Sequence, residues 1–254
     1  IDDEYLFKET YKVLKEKHDK PRFIMTLSIT NHPPYRLPKD VEIQKIKLDE
    51  KTLGRFPYDN TETIFATFRY ANDELGKFIN TVKEDVSLKD NIFIAATGDH
   101  NMRGIGYSDY PEELVFGHEV PFYLYMPEKY IRNTAVRYDP KRLGSHKDII
   151  TTLVSHAVSD YTFYSFGCDM LSNDKCNFPY AYNQSVSVGY GKDYACELQT
   201  DNYGVSYKIT DRKQLLVSPK ADDANCTKEA AFKKLEAQLY YFQAMMPVKL
   251  EKTK

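Results

Sequence analysis

The sequence predicts an α/β protein with a partial, mostly parallel sheet flanked by helices, followed by a C-terminal antiparallel sheet covered by one helix. Two apolar runs, at 22–29 and 91–98, have an amphipathic helix over 61–83 between them. Strand, helix and strand in that order form a βαβ unit, whose strands are parallel. After residue 172 the pattern changes to short segments that alternate apolar and polar residues. Such alternation is typical of antiparallel strands with one face in water.

The first predicted region covers residues 1–172. Its elements in order are a helix over 3–17, a strand over 22–29, a polar excursion over 36–60, a helix over 61–83, strands over 91–98 and 120–126, and a helix over 146–158. Asp2 or Asp3 caps the first helix and Ser145 the last, because short polar side chains accept hydrogen bonds from free N–H groups. The run at 22–29 is almost continuously apolar, which predicts a strand covered on both faces.

The second predicted region covers residues 173–254 and contains the small antiparallel sheet. Its strands are predicted over 184–188, 195–199, 204–209 and 214–218. A long helix over 230–246 follows, with Phe232, Leu235 and Leu239 on one apolar stripe that covers the sheet. The tail at 249–254 is expected to fray.

The composition favours a soluble globular protein, with 42% hydrophobic and 28% charged residues in 254. A net charge of −2 gives no basic field that would recruit nucleic acid. No run of about 18 apolar residues is present, so nothing in these residues predicts a membrane span. The sequence starts at Ile1 rather than at a methionine, and we expect it to be a piece of a longer protein.

Four cysteines lie late in the chain, at Cys168, Cys176, Cys196 and Cys226. An even number at close spacing favours two disulfides and an exported protein. Three pairings are possible, and we favour Cys168–Cys176 with Cys196–Cys226. The alternatives are four buried reduced thiols or, less favoured, a zinc cluster, since no C-x₂-C pair is present.

A candidate metal site follows the apolar run at 91–98. The run stops at Gly98, and a carboxylate and an imidazole follow at once in Asp99 and His100. Ligands gather beyond the carboxyl ends of strands in open α/β sheets, and this donor pair suits Mn²⁺ or Zn²⁺. The alternative is that Asp99 caps a turn and His100 is a surface histidine. Nearby Arg103 is a candidate anion clamp, because its guanidinium fork matches two phosphate oxygens, or else a plain surface residue.

Thr97-Gly-Asp-His100 at a strand end resembles the metal motif of the alkaline-phosphatase/sulfatase superfamily. Further stretches resemble its lipoteichoic-acid synthase branch, a group of phosphoglycerol transferases. They are Asp2-Asp-Glu-Tyr-Leu-Phe7, Thr26-Leu-Ser-Ile-Thr-Asn-His32-Pro-Pro-Tyr35, and Lys147-Asp-Ile-Ile-Thr-Thr-Leu153 followed by Phe166-Gly-Cys-Asp-Met-Leu171. The resemblance covers residues 1–172 and is specific by the combination of motifs. It implies a sulfatase-like catalytic domain, of which this chain is the C-terminal part.

The resemblance implies roles for five residues. Asp99 and His100 hold a divalent metal, with Mn²⁺ favoured and Zn²⁺, Mg²⁺ or Ca²⁺ as alternatives. His32 and His118 are candidate catalytic residues that stabilise phosphoryl oxygens or shuttle a proton, and with Arg103 they bind the substrate. The alternative for both histidines is an ordinary place in a loop or at the start of a strand.

The other histidines are expected to be structural. His146 occupies a position that varies in the family, His156 lies inside a helix and His18 lies near a helix end. Such histidines are more often hydrogen-bonded or solvated than functional.

The implied activity is phosphoglycerol transfer from a phospholipid such as phosphatidylglycerol to a glycan or polymer hydroxyl. The family's threonine nucleophile starts a helix upstream; Thr30 and Thr97 lack such a start, so we expect the chain alone to be inactive. The implied location is extracytoplasmic, in the periplasm or on the outer face of a bacterial inner membrane, with membrane helices upstream. One alternative is a sulfatase or phosphodiesterase that hydrolyses its ester. Another is a non-catalytic module on a degenerate sulfatase-like fold.

Overall fold

The structure is a computed structural model of the chain. It describes residues 2–41, 46–56, 59–102, 110–132, 142–160, 162–163, 165–172, 176, 180–183, 185–189, 192–200, 203–222 and 226–245. The chain forms two compact units. The first consists of Ile1–Ala96, Met102–Tyr107 and Tyr123–Thr134, and the second of Thr97–Asn101, Ser108–Phe122 and Ala135–Lys254. The division between residues 172 and 173 remains a prediction.

The first unit is built on its helices α1 (Asp3–Lys15), α2 (Glu50–Arg55) and α3 (Thr61–Glu84). Asp2 caps α1 as predicted, accepting the Tyr5 N–H at 3.0 Å. Helices α1 and α3 pack together through the stacked rings of Phe7 and Phe78, whose centroids are 5.1 Å apart. The amphipathic helix predicted over 61–83 is confirmed as α3. Of the apolar residues that predict it, Ile64, Ile79 and Val82 are buried, whereas Phe68 is 50% exposed.

Two short strands are hydrogen-bonded neighbours in a two-stranded sheet: β1 (Ile94–Thr97) and β2 (Phe122–Tyr125). Both lie inside predicted apolar stretches, and the short helix α4 (Glu128–Arg132) follows. The β-branched and aromatic residues of these stretches favour extended backbone, and the polar residues after Thr97 end the first strand.

The strand predicted over residues 22–29 is wrong. These residues form no strand, and the side chains of Phe23, Met25 and Leu27 are exposed rather than covered. A strand requires a neighbour for its N–H and C=O groups. Of the segment's N–H groups, the described structure gives only that of Ile29 a partner, and that partner is the Asp3 carboxylate at 3.0 Å. The apolar pattern was therefore strand-like, but the pairing that makes a strand is missing.

The second unit contains the predicted helix α5 (His146–Ala157) and a meander of strands β3 (Tyr180–Tyr182), β4 (Val186–Gly189), β5 (Tyr194–Thr200), β6 (Tyr203–Asp211) and β7 (Leu216–Val217). The strands pair in sequence order, and every pair is antiparallel. This confirms the predicted meander and adds β3. Val188, Ala195, Ile209 and Val217 form a core on one face of the sheet. Ser187, Cys196 and Ser206, which are register partners on the opposite face, are buried too, so the prediction of one face in water is wrong for the central strands.

The long helix α6 (Thr227–Met245) follows this sheet, as predicted. Phe232 packs against the rings of Tyr180 and Tyr182, and the Tyr194 hydroxyl donates to the Glu229 carboxylate at 2.8 Å. These contacts attach α6 to β3 and β5. The α/β class with a C-terminal antiparallel sheet and helix is thereby confirmed.

Both favoured cysteine pairs are disulfides in the structure. The Cα atoms are 5.4 Å apart in Cys168–Cys176 and 5.9 Å apart in Cys196–Cys226. The second bridge is fully buried and joins β5 to the residue before α6. Among the helices that the structure describes, none combines the length and the hydropathy needed to cross a lipid bilayer. The tail at 249–254 lies outside the described residues.

Candidate active site

The end of β1 leads directly into the predicted metal motif. Gly98 follows the strand, and a Cβ atom there would lie 3.3 Å from Cγ1 of Val120. Glycine therefore allows the chain to leave β1 in close contact with the residues that precede β2. Asp99 and His100 come next, and both side chains are open to solvent, at 74% and 51% exposure.

The two side chains converge instead of pointing apart. The Oδ2 atom of Asp99 lies 3.5 Å from Nε2 of His100, and Oδ1 of Asp99 accepts the His100 backbone N–H at 2.9 Å. Neighbouring residues in a strand point to opposite faces, so the turn after Gly98 is what brings these two groups together.

A hydrogen bond sets the state of the imidazole. Nδ1 of His100 lies 2.8 Å from the Asn101 carbonyl oxygen. A carbonyl only accepts, so Nδ1 carries a proton, and in the neutral form of the ring Nε2 is the nitrogen that presents a lone pair. Metal-bound histidines in proteins show this same arrangement, in which the second ring nitrogen donates to a carbonyl or carboxylate.

These donors fit a divalent ion. Two ligand atoms bonded to one ion at about 2.1 Å and a tetrahedral angle lie roughly 3.4 Å apart, close to the 3.5 Å between the Asp99 and His100 atoms. A carboxylate oxygen and an imidazole nitrogen also suit Mn²⁺ and Zn²⁺. Within the described residues these two are not joined by a third acidic, histidine or cysteine ligand, since the one cluster of three such groups is Cys196, Cys226 and Glu229, whose cysteines form a disulfide.

His118 belongs to the same compact unit as the metal motif. It ends a short 3₁₀ turn, Phe116–His118, and its side chain is exposed. The side-chain amide of Asn101 donates to the Glu119 carbonyl at 3.1 Å, which ties the metal loop to the residue after His118. The structure therefore brings the His118 segment and the Asp99–His100 loop into direct contact.

His32 lies in the other compact unit. It follows Thr30 and Asn31 in a turn, is exposed, and places Nδ1 2.9 Å from the Pro33 carbonyl oxygen. That contact gives His32 the tautomer seen in His100, with Nε2 available as an acceptor. Arg103 lies outside the described residues.

The motif at residues 2–7 supports the segment that carries His32. Asp3 is fully buried, and its Oδ1 accepts the N–H groups of Ile29 at 3.0 Å and Thr30 at 3.3 Å. In return the Thr30 hydroxyl accepts the Asp3 N–H at 3.1 Å. Thr30 is therefore a buried structural residue, and Thr97 is exposed at the end of β1 with its hydroxyl 3.1 Å from the Gly98 carbonyl.

His146 contacts the site, although the sequence predicts a structural role for it. Its Nε2 atom lies 2.7 Å from the carbonyl oxygen of Gly98, 48 residues away in sequence. The only sequence signal was a histidine at the first position of a helix within the family-like region. His156 is satisfied as expected, with Nε2 2.9 Å from the Asp169 carboxylate.

The sulfatase family model matches residues 1–159, which is more than half of the chain. The chain belongs to the sulfatase family. No curated protein sequence matches it significantly. Sulfatase-family members generally use a divalent metal, and the Asp99–His100 pair of this sulfatase-family chain has the donors and the spacing to hold one. The matched region contains the strand-end motif, His32, His118 and helix α5, so each candidate site residue lies inside the family match.

Proposed function

We propose that this sulfatase-family chain is the metal-binding part of a phosphoglycerol transferase of the lipoteichoic-acid synthase type. The observation that carries the metal site is the convergence of Asp99 Oδ2 and His100 Nε2 at 3.5 Å, with the imidazole tautomer fixed by the Asn101 carbonyl. The choice of the transferase branch is supported by the combination of the motifs at 26–35, 97–100 and 147–153.

Asp99 and His100 would hold the ion, for which Mn²⁺ is our first choice. A divalent ion bound there would polarise a phosphoryl or sulfuryl ester and lower the pKa of a coordinated hydroxyl. The negative carboxylate and neutral imidazole would leave a net positive charge at the site, which attracts an anionic headgroup.

His118 and His32 would bind the phosphoryl group of the substrate and transfer protons. An imidazole with one donor and one acceptor nitrogen can donate to a phosphoryl oxygen and can move a proton to or from an oxygen nucleophile or leaving group. Arg103, four residues after Asp99, would pair with two oxygens of the same phosphoryl group. The proposed substrates are a phospholipid donor and a glycan or polymer acceptor, on the extracytoplasmic side of a membrane to which helices upstream would attach the enzyme.

The nucleophile is proposed to lie outside these residues. Thr30 is buried and bonded to Asp3, and Thr97 ends a strand instead of starting a helix. A threonine at a helix N-terminus would gain from the free N–H groups and the positive end of the helix dipole, and neither residue has that environment.

The deciding experiment uses the protein as its gene encodes it, assayed with Mn²⁺ on a fluorescent phosphatidylglycerol analogue and on p-nitrophenyl sulfate. Transfer should release fluorescent diacylglycerol and label an added glycan with phosphoglycerol, and it should be lost in Asp99→Ala. Release of sulfate without action on the lipid would replace the proposal by a sulfatase. Free glycerol phosphate with no labelled acceptor would indicate a phosphodiesterase. Metal binding without turnover on any ester would indicate a non-catalytic module.

A further inference from the structure

His146 makes a long-range hydrogen bond to the loop that carries the candidate metal ligands. Nε2 of His146 lies 2.7 Å from the Gly98 carbonyl oxygen. Because the carbonyl can only accept, the imidazole donates through Nε2. Gly98 directly precedes Asp99, so the bond fixes the peptide unit that joins Gly98 to Asp99.

Helix α5 does not depend on this bond for its own start. The Asp148 carboxylate, fully buried, accepts the Ser145 N–H at 2.8 Å through Oδ2 and the Cys168 N–H at 2.7 Å through Oδ1. These contacts fix the first turn of α5 from inside, whereas the His146 side chain is exposed. The hydrogen bond of His146 therefore restrains the loop after β1 and is not needed to start the helix.

The loop is held at both ends. On one side His146 donates to the Gly98 carbonyl, and on the other side the Asn101 amide donates to the Glu119 carbonyl at 3.1 Å. Asp99 and His100 lie between these two attachments and are themselves exposed. Exposed side chains on a loop need such support, because a pair of donor atoms that drifts by 1 Å no longer matches one ion.

We propose that His146 is a positioning residue of the metal site, which holds the Gly98 peptide so that Asp99 and His100 present their donor atoms to one ion. This inference rests on the proposed metal-binding function. Outer-shell contacts of this kind commonly change metal affinity by about 10- to 100-fold when they are removed. His146 is not proposed to touch the metal or the substrate.

The test compares His146→Ala with His146→Gln in the whole chain. The glutamine amide can place an N–H near the position of Nε2, so it can keep the bond to Gly98, whereas alanine cannot. His156→Ala is the matched control, because it removes a histidine from the other end of α5 whose partner is the Asp169 carboxylate, 2.9 Å away. Far-UV circular dichroism establishes that each variant is folded.

Two properties are measured. The first is the ¹H–¹⁵N amide resonance of Asp99 without metal, since its nitrogen shares a peptide unit with the Gly98 carbonyl. The second is the dissociation constant for Mn²⁺ from water-proton relaxation. In His146→Ala we expect a shifted Asp99 resonance and about 10-fold weaker Mn²⁺ binding. In His146→Gln both should return close to the parent values, and His156→Ala should change neither.

An Asp99 resonance that is the same in the parent chain and in His146→Ala would overturn the inference, whatever the Mn²⁺ affinity. So would a shifted resonance with unchanged Mn²⁺ affinity, or a glutamine variant that behaves like alanine. Asp99→Ala distinguishes a failure of the positioning role from a failure of the metal site. If Asp99→Ala weakens Mn²⁺ binding and His146→Ala does not, only the positioning role fails; if neither does, the proposed metal site itself fails.

Discussion

Asp99 Oδ2 and His100 Nε2 lie 3.5 Å apart on consecutive residues. The imidazole can face the carboxylate because the chain leaves its strand at Gly98, and because the Asn101 carbonyl holds the other ring nitrogen. The pair is therefore arranged before any ion binds, which reduces the ordering cost of binding.

Removing either group should weaken Mn²⁺ binding by at least about 10-fold, since each supplies one ligand of a small set. The variants are Asp99→Ala and His100→Ala, measured by water-proton relaxation. The control is His18→Ala. His18 is exposed, directly precedes Asp19, and has its Nδ1 atom 2.7 Å from the Lys20 carbonyl oxygen, so it resembles His100 in all three respects. Equal Mn²⁺ affinity in all three variants would remove Asp99 and His100 from the metal site.

The two disulfides should contribute unequally to stability. Cys196–Cys226 spans 30 residues and Cys168–Cys176 spans 8. The loop-entropy relation gives about 3.6 kcal/mol for the longer loop and about 2.5 kcal/mol for the shorter one. Replacing both cysteines of the longer bridge by alanine should therefore lower the free energy of unfolding by about 1 kcal/mol more than the same change in the shorter bridge.

Urea unfolding of the two double variants measures that difference, and each variant is the control for the other. Mass spectrometry without reduction, on protein exported by its own host, tests whether the pairs form in the cell. Four free thiols in that sample would contradict both the pairing and the proposed extracytoplasmic location.

Glu236 should make stability depend on pH. Its carboxyl group on α6 is buried, one of its oxygens has no hydrogen-bond partner among the residues that the structure describes, and burial raises its pKa to about 7. The Asp148 carboxylate raises this pKa further, while Lys147 and the Tyr240 hydroxyl lower it. The folded chain therefore favours protonated Glu236 in a range where the unfolded chain, with an ordinary glutamate pKa of about 4.3, has lost the proton.

The direction of this pH dependence follows from the number of protons that each state binds. Between the two pKa values the folded state binds more protons than the unfolded state, so the free energy of unfolding falls as the pH rises. This group's contribution should be complete below about pH 4 and lost as the pH passes 7, by at most about 4 kcal/mol. Glu236→Gln should remove that loss between pH 5 and pH 8 in urea unfolding. Exposed Glu62→Gln is the control and should retain it, and an unchanged pH dependence in Glu236→Gln would contradict the assignment.

The exposed apolar segment at 22–29 should cause self-association. Phe23, Met25 and Leu27 are 72%, 80% and 73% exposed, and no charged residue lies between Phe23 and Ile29. Exposed apolar segments with high β-propensity and no charge tend to pair with one another. Sedimentation velocity should show mass that grows with concentration, and Leu27→Lys should weaken the association by about 10-fold, the equivalent of one buried leucine side chain.

Val86→Lys is the matched control, because Val86 is 82% exposed but stands alone among polar neighbours. It should leave the association unchanged. A chain that stays monomeric at all concentrations, or a Val86→Lys variant that behaves like Leu27→Lys, would show that the 22–29 segment does not drive association.

The sequence by itself determined the local elements. Three- and four-residue periodicity located α3, α5 and α6, and alternation located the meander, because these patterns record which face of one element is apolar. It also placed Asp99 and His100 at the end of a strand, since that requires only an apolar run and the residues that follow it. The even number and spacing of the cysteines predicted two disulfides, and the favoured one of the three possible pairings is the one that forms.

Tertiary structure decided what depends on distant partners. The run at 22–29 has the composition of a strand, but it has no neighbouring strand in the described part of the chain, and composition does not supply one. His146 and Gly98 are 48 residues apart, so nothing in the sequence around either residue predicts their hydrogen bond. The sequence around Glu236 likewise does not predict that its carboxyl group is buried near Lys147 and Asp148 of α5. Hydrogen-bond direction, tautomer and desolvation are properties of an assembled environment, because each depends on which groups the rest of the chain brings within a few ångströms.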